Sequence, residues 1–233
     1  MTYRAGSPTN KVSDMAQTIQ SLIAASVNGV LRARFPDTYC SLCHTHAIVG
    51  ANVISVVLNR VYRPVAGMAL IDCGGGFIRL TDNAAFANPA GGAFHCWIES
   101  SDRSFNETEV VDLTFRHNHE YARKNGLPWR RPAPPEYLWG PRSKIVVRAE
   151  LHNMPDGFDE GQVWLRETEE GAGFIMRHLA EHMNAYVTLT AEALKELRRR
   201  LPAGSRLLEP LMPADRGGKV VTAGASASAA MAC

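Results

Sequence analysis

Two prolines, Pro36 and Pro64, divide the first third of the chain into stretches of different periodicity. Proline has no N–H to donate and disfavours helix in the residue before it, so a helix that reaches one must stop. Before Pro36, Met15, Ile19, Leu22, Ile23 and Val30 recur at helical spacing, which predicts a helix over residues 14–35 with Ser13 as its cap. Beyond Pro36, Cys40, Cys43, Ala47, Ala51, Ile54 and Leu58 stand three and four apart. That spacing predicts a second helix, starting within residues 38–41 and ending near Arg60, with these six on its buried stripe.

After Pro64 the period shortens. Residues 65–73 read as a strand, Gly74-Gly75-Gly76 as a turn and residues 77–80 as the returning strand. Further strands are expected at 93–99, 109–115, 144–152 and 162–166, with a Pro-rich surface excursion at 128–135. Helical spacing returns at 171–186 and 191–201. Residues 214–233 are mostly Ala, Gly and Ser, too poor in apolar surface to offset the entropy of ordering, and are expected to form a flexible tail. Helices, then an antiparallel sheet, then helices make an α+β layout, expected as one domain over residues 1–213.

Composition removes several function classes. A net charge of +2 is too mild for a nucleic-acid protein, and no basic and aromatic stripe accompanies it. No apolar run approaches the roughly 20 residues that cross a bilayer, and residues 1–10 are polar, so a cytoplasmic protein with no membrane partner is expected. Five cysteines, Cys40, Cys43, Cys73, Cys96 and Cys233, are an odd number and a poor disulfide framework. In a reducing compartment each is packed filler, a metal ligand or a nucleophile.

Three passages decide among those roles: Tyr39-Cys40-Ser41-Leu42-Cys43-His44-Thr45-His46, His95-Cys96-Trp97-Ile98-Glu99 and Asp112-Leu113-Thr114. A thiol attacks as thiolate, and free N–H groups in the first turn of a helix stabilise that charge. With Ser41 as cap, Cys43 stands in that turn; with Thr38 as cap, Cys40 does. A histidine beside the thiol can hold it ionised and protonate a leaving group, provided a third group fixes the imidazole. Glu99 lies about 13 Å along the strand from His95, too far to serve. Asp112, in the next strand, can sit opposite His95 if the strands pair. Cys96 should face away from His95, and Trp97 should share its face.

A helix-borne Cys, then His-x-Trp-x-Glu, then Asp-x-Thr resembles the core of the transglutaminase-like superfamily, built on the papain-like cysteine-proteinase fold. The matching residues are Cys43 with Ala47, His95 to Glu99, and Asp112 to Thr114. Cys40-Ser41-Leu42-Cys43-His44 is also similar to the Cys-x-x-Cys-aromatic signature of papain-type proteases, whose second cysteine is the nucleophile. The resemblance spans roughly residues 36–115 and points to a bacterial branch. It implies Cys43 as nucleophile, His95 as its base, Asp112 as the orienting acid and Trp97 on the substrate side. The substrate class is then a peptide, protein or small amide or ester, with no cofactor, and the backbone N–H of Cys43 contributes to an oxyanion hole. Two positions depart from the pattern: His44 replaces the aromatic residue, and no glycine precedes Cys43.

Other readings of the same residues stand beside this one. Cys40 and Cys43 with His44, His46 and Cys73 form a zinc set, although zinc sites usually show a second close ligand pair. The fold can also serve as a catalytically silent binding or regulatory domain. Cys40 reads as a packed neighbour or as a resolving thiol for an oxidised Cys43. Cys73 and Cys96 read as structural, and His117 and His119 as a polar strand end. Arg198 to Arg200 read as solvated charge, and Trp129, Tyr137 and Trp139 as groove lining or sheet cover.

Overall fold

The computed structural model describes residues 9–86, 94–101, 107–202 and 205. The tail expected at 214–233 lies outside the described residues. Helix α1, Thr9–Arg34, stops before Pro36 as its sequence requires, although it begins upstream of Ser13, which is therefore interior and not a cap. Ile23, Val27 and Leu31, four residues apart, are fully buried. A turn of 3-10 helix, Tyr39–Ser41, leads into helix α2, Cys43–Leu58. Asn59 ends α2 at φ 48°, a left-handed conformation that asparagine tolerates better than most residues.

Helix α2 is buried on nearly every side, because it packs on α1, on the sheet and on the last long helix. The expected single stripe was too narrow. Leu58, expected to be buried, is 39% exposed at the helix end, while the polar His44, Thr45 and His46 are buried.

Strand β1, Tyr62–Asp72, is the spine of the sheet. It pairs antiparallel with β2, Phe77–Leu80, with β3, His95–Ser100, and with β6, Trp164–Glu167. Strand β4, Glu109–Asp112, follows β3, and β5, Leu138–Pro141, forms the far edge. The β1–β2 turn places Gly74 at φ 80° and its N–H on the Asp72 carboxylate at 2.6 Å. Strand β5 falls just beyond the surface excursion expected at 128–135, where no strand was expected. Its terminal proline is tolerable because an edge strand needs fewer ladder donors. With that edge occupied, the strand expected at 144–152 does not form. The chain makes a one-turn helix α4, Arg142–Ile145, and a 3-10 turn, Leu151–Asn153, with one bridge from Val146 to Val163. Helix α3, Asn118–Lys124, likewise replaces the polar strand end read around His117.

Helix α5, Glu169–Arg200, runs through both expected C-terminal helices, bent at His182 (φ −123°, ψ 21°). The Thr168 hydroxyl caps its start by accepting from the Gly171 N–H at 3.1 Å. Two buried clusters lie on opposite faces of the sheet. Ile48, Ile54, Cys96, Ile98, Val111 and Phe174 pack toward the helices, while Val65, Trp97, Val110, Phe115 and Leu138 pack on the other side. The alternation along β3 and β4 is that of the pleat. Helices on an antiparallel sheet, closed by a C-terminal helix, make the fold α+β.

Candidate active site

Three element ends meet at one end of the sheet's central strands. Cys43 is the first residue of α2, His95 the first of β3 and Asp112 the last of β4. Because β3 and β4 run antiparallel, the start of one lies beside the end of the other. Their register, Ile98 with Val111 and Glu99 with Val110, continues to bring Trp97 opposite Asp112 and His95 diagonal to it.

His95 Nε2 lies 2.8 Å from Asp112 Oδ2, and both side chains are buried. The other Asp112 oxygen accepts from the Thr114 N–H and the Thr114 hydroxyl, each at 2.8 Å. The Asp-x-Thr spacing thus does local work: the chain turns back after β4 and clamps the carboxylate. With Nε2 engaged by the acid, Nδ1 is the ring nitrogen left for a thiol.

The Cys43 thiol, half-buried, interacts with the side chains of Cys96, His44 and His95. Its pKa is lowered well below the ordinary thiol value, first by a side-chain hydrogen bond with Cys96 and then, against the cost of burial, by His44 and His95. Burial alone would push the His95 imidazole down, but the Asp112 charge and hydrogen bond, with the Cys43 thiolate, raise it to about 10. Burial works against ionised Asp112, yet His95 and Thr114 hold it below the usual carboxylate range. These shifts all run in the direction that favours a thiolate beside an imidazolium backed by a carboxylate.

Helix geometry favours the same charge. The residue preceding α2 is Leu42, which has no side-chain group to cap the first turn. The Ser41 hydroxyl, expected as that cap, instead donates to the Thr38 carbonyl at 2.8 Å. Helix α2 starts later than expected, at Cys43 itself, and its first-turn N–H groups receive no side-chain acceptor from the capping residue. Cys40, the alternative nucleophile, sits on the separate 3-10 turn.

Two sequence expectations change here. Trp97 is 1% exposed, stacked at 20° to the His95 ring with centroids 6.4 Å apart, and its indole N–H donates to Glu99 at 2.8 Å. A side chain so enclosed backs the imidazole and offers no open face to a substrate. Cys96 does point to the face opposite Trp97, but that face carries α2 and the Cys43 thiol, so Cys96 belongs to the site. The signal for this was legible only jointly: the side of β3 that receives α2 must be the side of Cys96.

Around this centre stand further buried imidazoles. His46 Nδ1 lies 3.0 Å from the Leu42 carbonyl, and burial drives its pKa to about 4. His117 is buried and meets Tyr39 edge to face. His44 packs against His178, whose pKa burial also lowers to about 4. Among the described residues no group of three or more His, Cys, Asp or Glu is placed to hold a metal ion, so the zinc set built on Cys40 and Cys43 is not assembled. No helix among them is long and apolar enough to cross a membrane.

No protein-family model and no curated protein matches the chain. The crystal structure of a genomics target is similar to it, with a TM-score of 0.53 and 18% sequence identity over 82% of each chain. That likeness concerns the fold alone.

Proposed function

We propose that the chain is a cysteine-dependent acyl-group enzyme of the transglutaminase-like, papain-like kind, acting on an amide or ester carbonyl. The single observation that carries this reading is the convergence of Cys43, His95 and Asp112 at one end of the sheet's central strands. Cys43 sulfur attacks the carbonyl carbon as thiolate. Charge developing on the carbonyl oxygen is met by the uncapped N–H groups at the start of α2, that of Cys43 foremost. His95 then gives its proton to the departing amine or alcohol, leaving an acyl-thioester on Cys43. Water, or an amine in a transfer reaction, enters with neutral His95 as base, and the thiol is released. Asp112 keeps Nε2 occupied so that Nδ1 serves both steps. A free thiolate of this kind suits a reducing, cytoplasmic setting.

The test is alkylation and turnover together. Iodoacetamide at neutral pH should label Cys43 well ahead of Cys73 and Cys96, and Cys43→Ala should abolish hydrolysis of an activated ester or peptide amide panel. If Cys43 labels no faster than the buried cysteines, the proposal fails. A Cys43→Ala protein that keeps its biological activity would point instead to a silent binding domain of the same architecture.

A further inference from the structure

Cys43 and Cys96 come from different elements, yet their side chains meet. The pleat of β3 turns Cys96 toward the helical layer, and Cys43 packs on the buried cluster to which Cys96 belongs. The two thiols interact there, and Cys96 is the largest of the influences that hold the Cys43 thiol below its ordinary pKa. They differ in access: Cys43 is half-buried, whereas Cys96 is 2% exposed. A solution oxidant therefore meets Cys43 first, and Cys96 is reached only from within the site. Cys40 lies three residues before Cys43 on its own 3-10 turn, while the thiol's neighbours are Cys96, His44 and His95.

We infer that Cys96 is the resolving thiol of this site, closing a Cys43–Cys96 disulfide when a hydroperoxide oxidises Cys43. The inference rests on the reading of Cys43 as a thiolate. In the first step the Cys43 sulfur attacks the peroxide, the O–O bond breaks, and the sulfur becomes a sulfenic acid while an alkoxide or hydroxide leaves and takes up a proton. The sulfur loses two electrons and the peroxide gains them. In the second step the Cys96 sulfur attacks the Cys43 sulfur, the S–S bond forms, the S–O bond breaks, and the hydroxyl leaves as water with the Cys96 proton. A neighbouring thiol diverts the sulfenic acid from further oxidation to sulfinic acid, which thiols do not reverse. The result is an enzyme switched off reversibly where it would otherwise be destroyed.

The experiment treats the reduced full-length chain with hydrogen peroxide at neutral pH, blocks the remaining thiols and maps peptides without reductant. The expected product is a Cys43–Cys96 linked pair that dithiothreitol separates, with Cys43 alkylation restored. In Cys96→Ala, and equally in the more polar Cys96→Ser, Cys43 should accumulate about tenfold more sulfinic acid and stay unreactive after dithiothreitol. A Cys43–Cys40 link, or equal sulfinic acid with and without Cys96, overturns the inference. Iodoacetamide labelling of untreated protein separates the two levels. Cys43 labelled ahead of Cys73, but never linked to Cys96, overturns the resolving role and leaves the nucleophile standing. Cys43 labelled no faster than Cys73 overturns both.

Discussion

At the scale of single residues, the chemistry of the site rests on charges that burial would forbid one at a time and permits together. His95 raised to about 10 contributes stability that is complete below its ordinary value of 6.5 and fades as pH climbs through about 10. Asp112, held below 3.8, contributes stability that is complete above 3.8 and is lost as pH falls. The stability gap between the native protein and Asp112→Asn should therefore be widest between pH 3.8 and 6.5 and narrow toward about 10, as read by urea unfolding. The same substitution should lower kcat by about 10²- to 10⁴-fold and bring the alkaline limb of the rate profile down from about 10. An unchanged alkaline limb would mean that Asp112 does not set the His95 charge. These three residues were legible in the sequence because chemistry restricts which types can do the work and because Asp-x-Thr is a local device. The thiol of Cys96 was not, since its neighbour across the layer is a property of packing.

At the scale of elements, close backbone approach decides where the site sits. Gly67 is paired on one edge with His95 of β3 and on the other with Glu167 of β6. A Cβ there would stand 2.1 Å from the Arg166 carbonyl oxygen, which cannot yield without breaking the ladder. Gly67→Ala should cost about 3 kcal/mol or more in denaturant unfolding and should slow Cys43 alkylation by displacing His95. Gly76→Ala, which meets nothing within 4 Å in the β1–β2 turn, is the matched control and should stay within about 0.5 kcal/mol of native. Periodicity located α1, α2, β1, β2, β3 and β6 within a few residues, since proline, glycine and apolar spacing act locally. It missed β5 and α4, where the number of free sheet edges, and not local preference, chooses between strand and turn. It also split α5, because Thr188 and Thr190 weaken helix preference locally while buried Leu189 and Ala193 hold the helix to the core.

Across the whole molecule, a part-buried ionic network on the sheet ties together the elements that support the site. Glu99 accepts from the Trp97 indole, from Arg63 at 3.2 Å and from Arg142, so that β1, β3 and α4 are tied on the sheet face that Trp97 and His95 share. Arg142→Met leaves the Glu99 carboxylate, itself 8% exposed, short of a charge partner and should destabilise the fold by about 3 kcal/mol. The Arg34–Glu192 pair joins α1 to α5 at the surface, and Arg34→Ala should change stability by no more than about 1 kcal/mol. A double-mutant cycle on Glu99 and Arg142 by thermal unfolding checks the first figure. Coupling near zero would show that the network is ornamental.

Local rules determined the helix stop before Pro36, the change from helical to strand texture around Pro64, and the identity of a thiol, an imidazole and a carboxylate able to act in concert. Such rules operate through neighbours a few residues apart, which the chain carries with it in any conformation. Only the tertiary structure decided that α2 begins at Cys43, that Trp97 is enclosed and that Cys96 faces the nucleophile. Those outcomes depend on which surfaces meet when the helical layer closes on the sheet, a matter of distances between residues far apart in sequence.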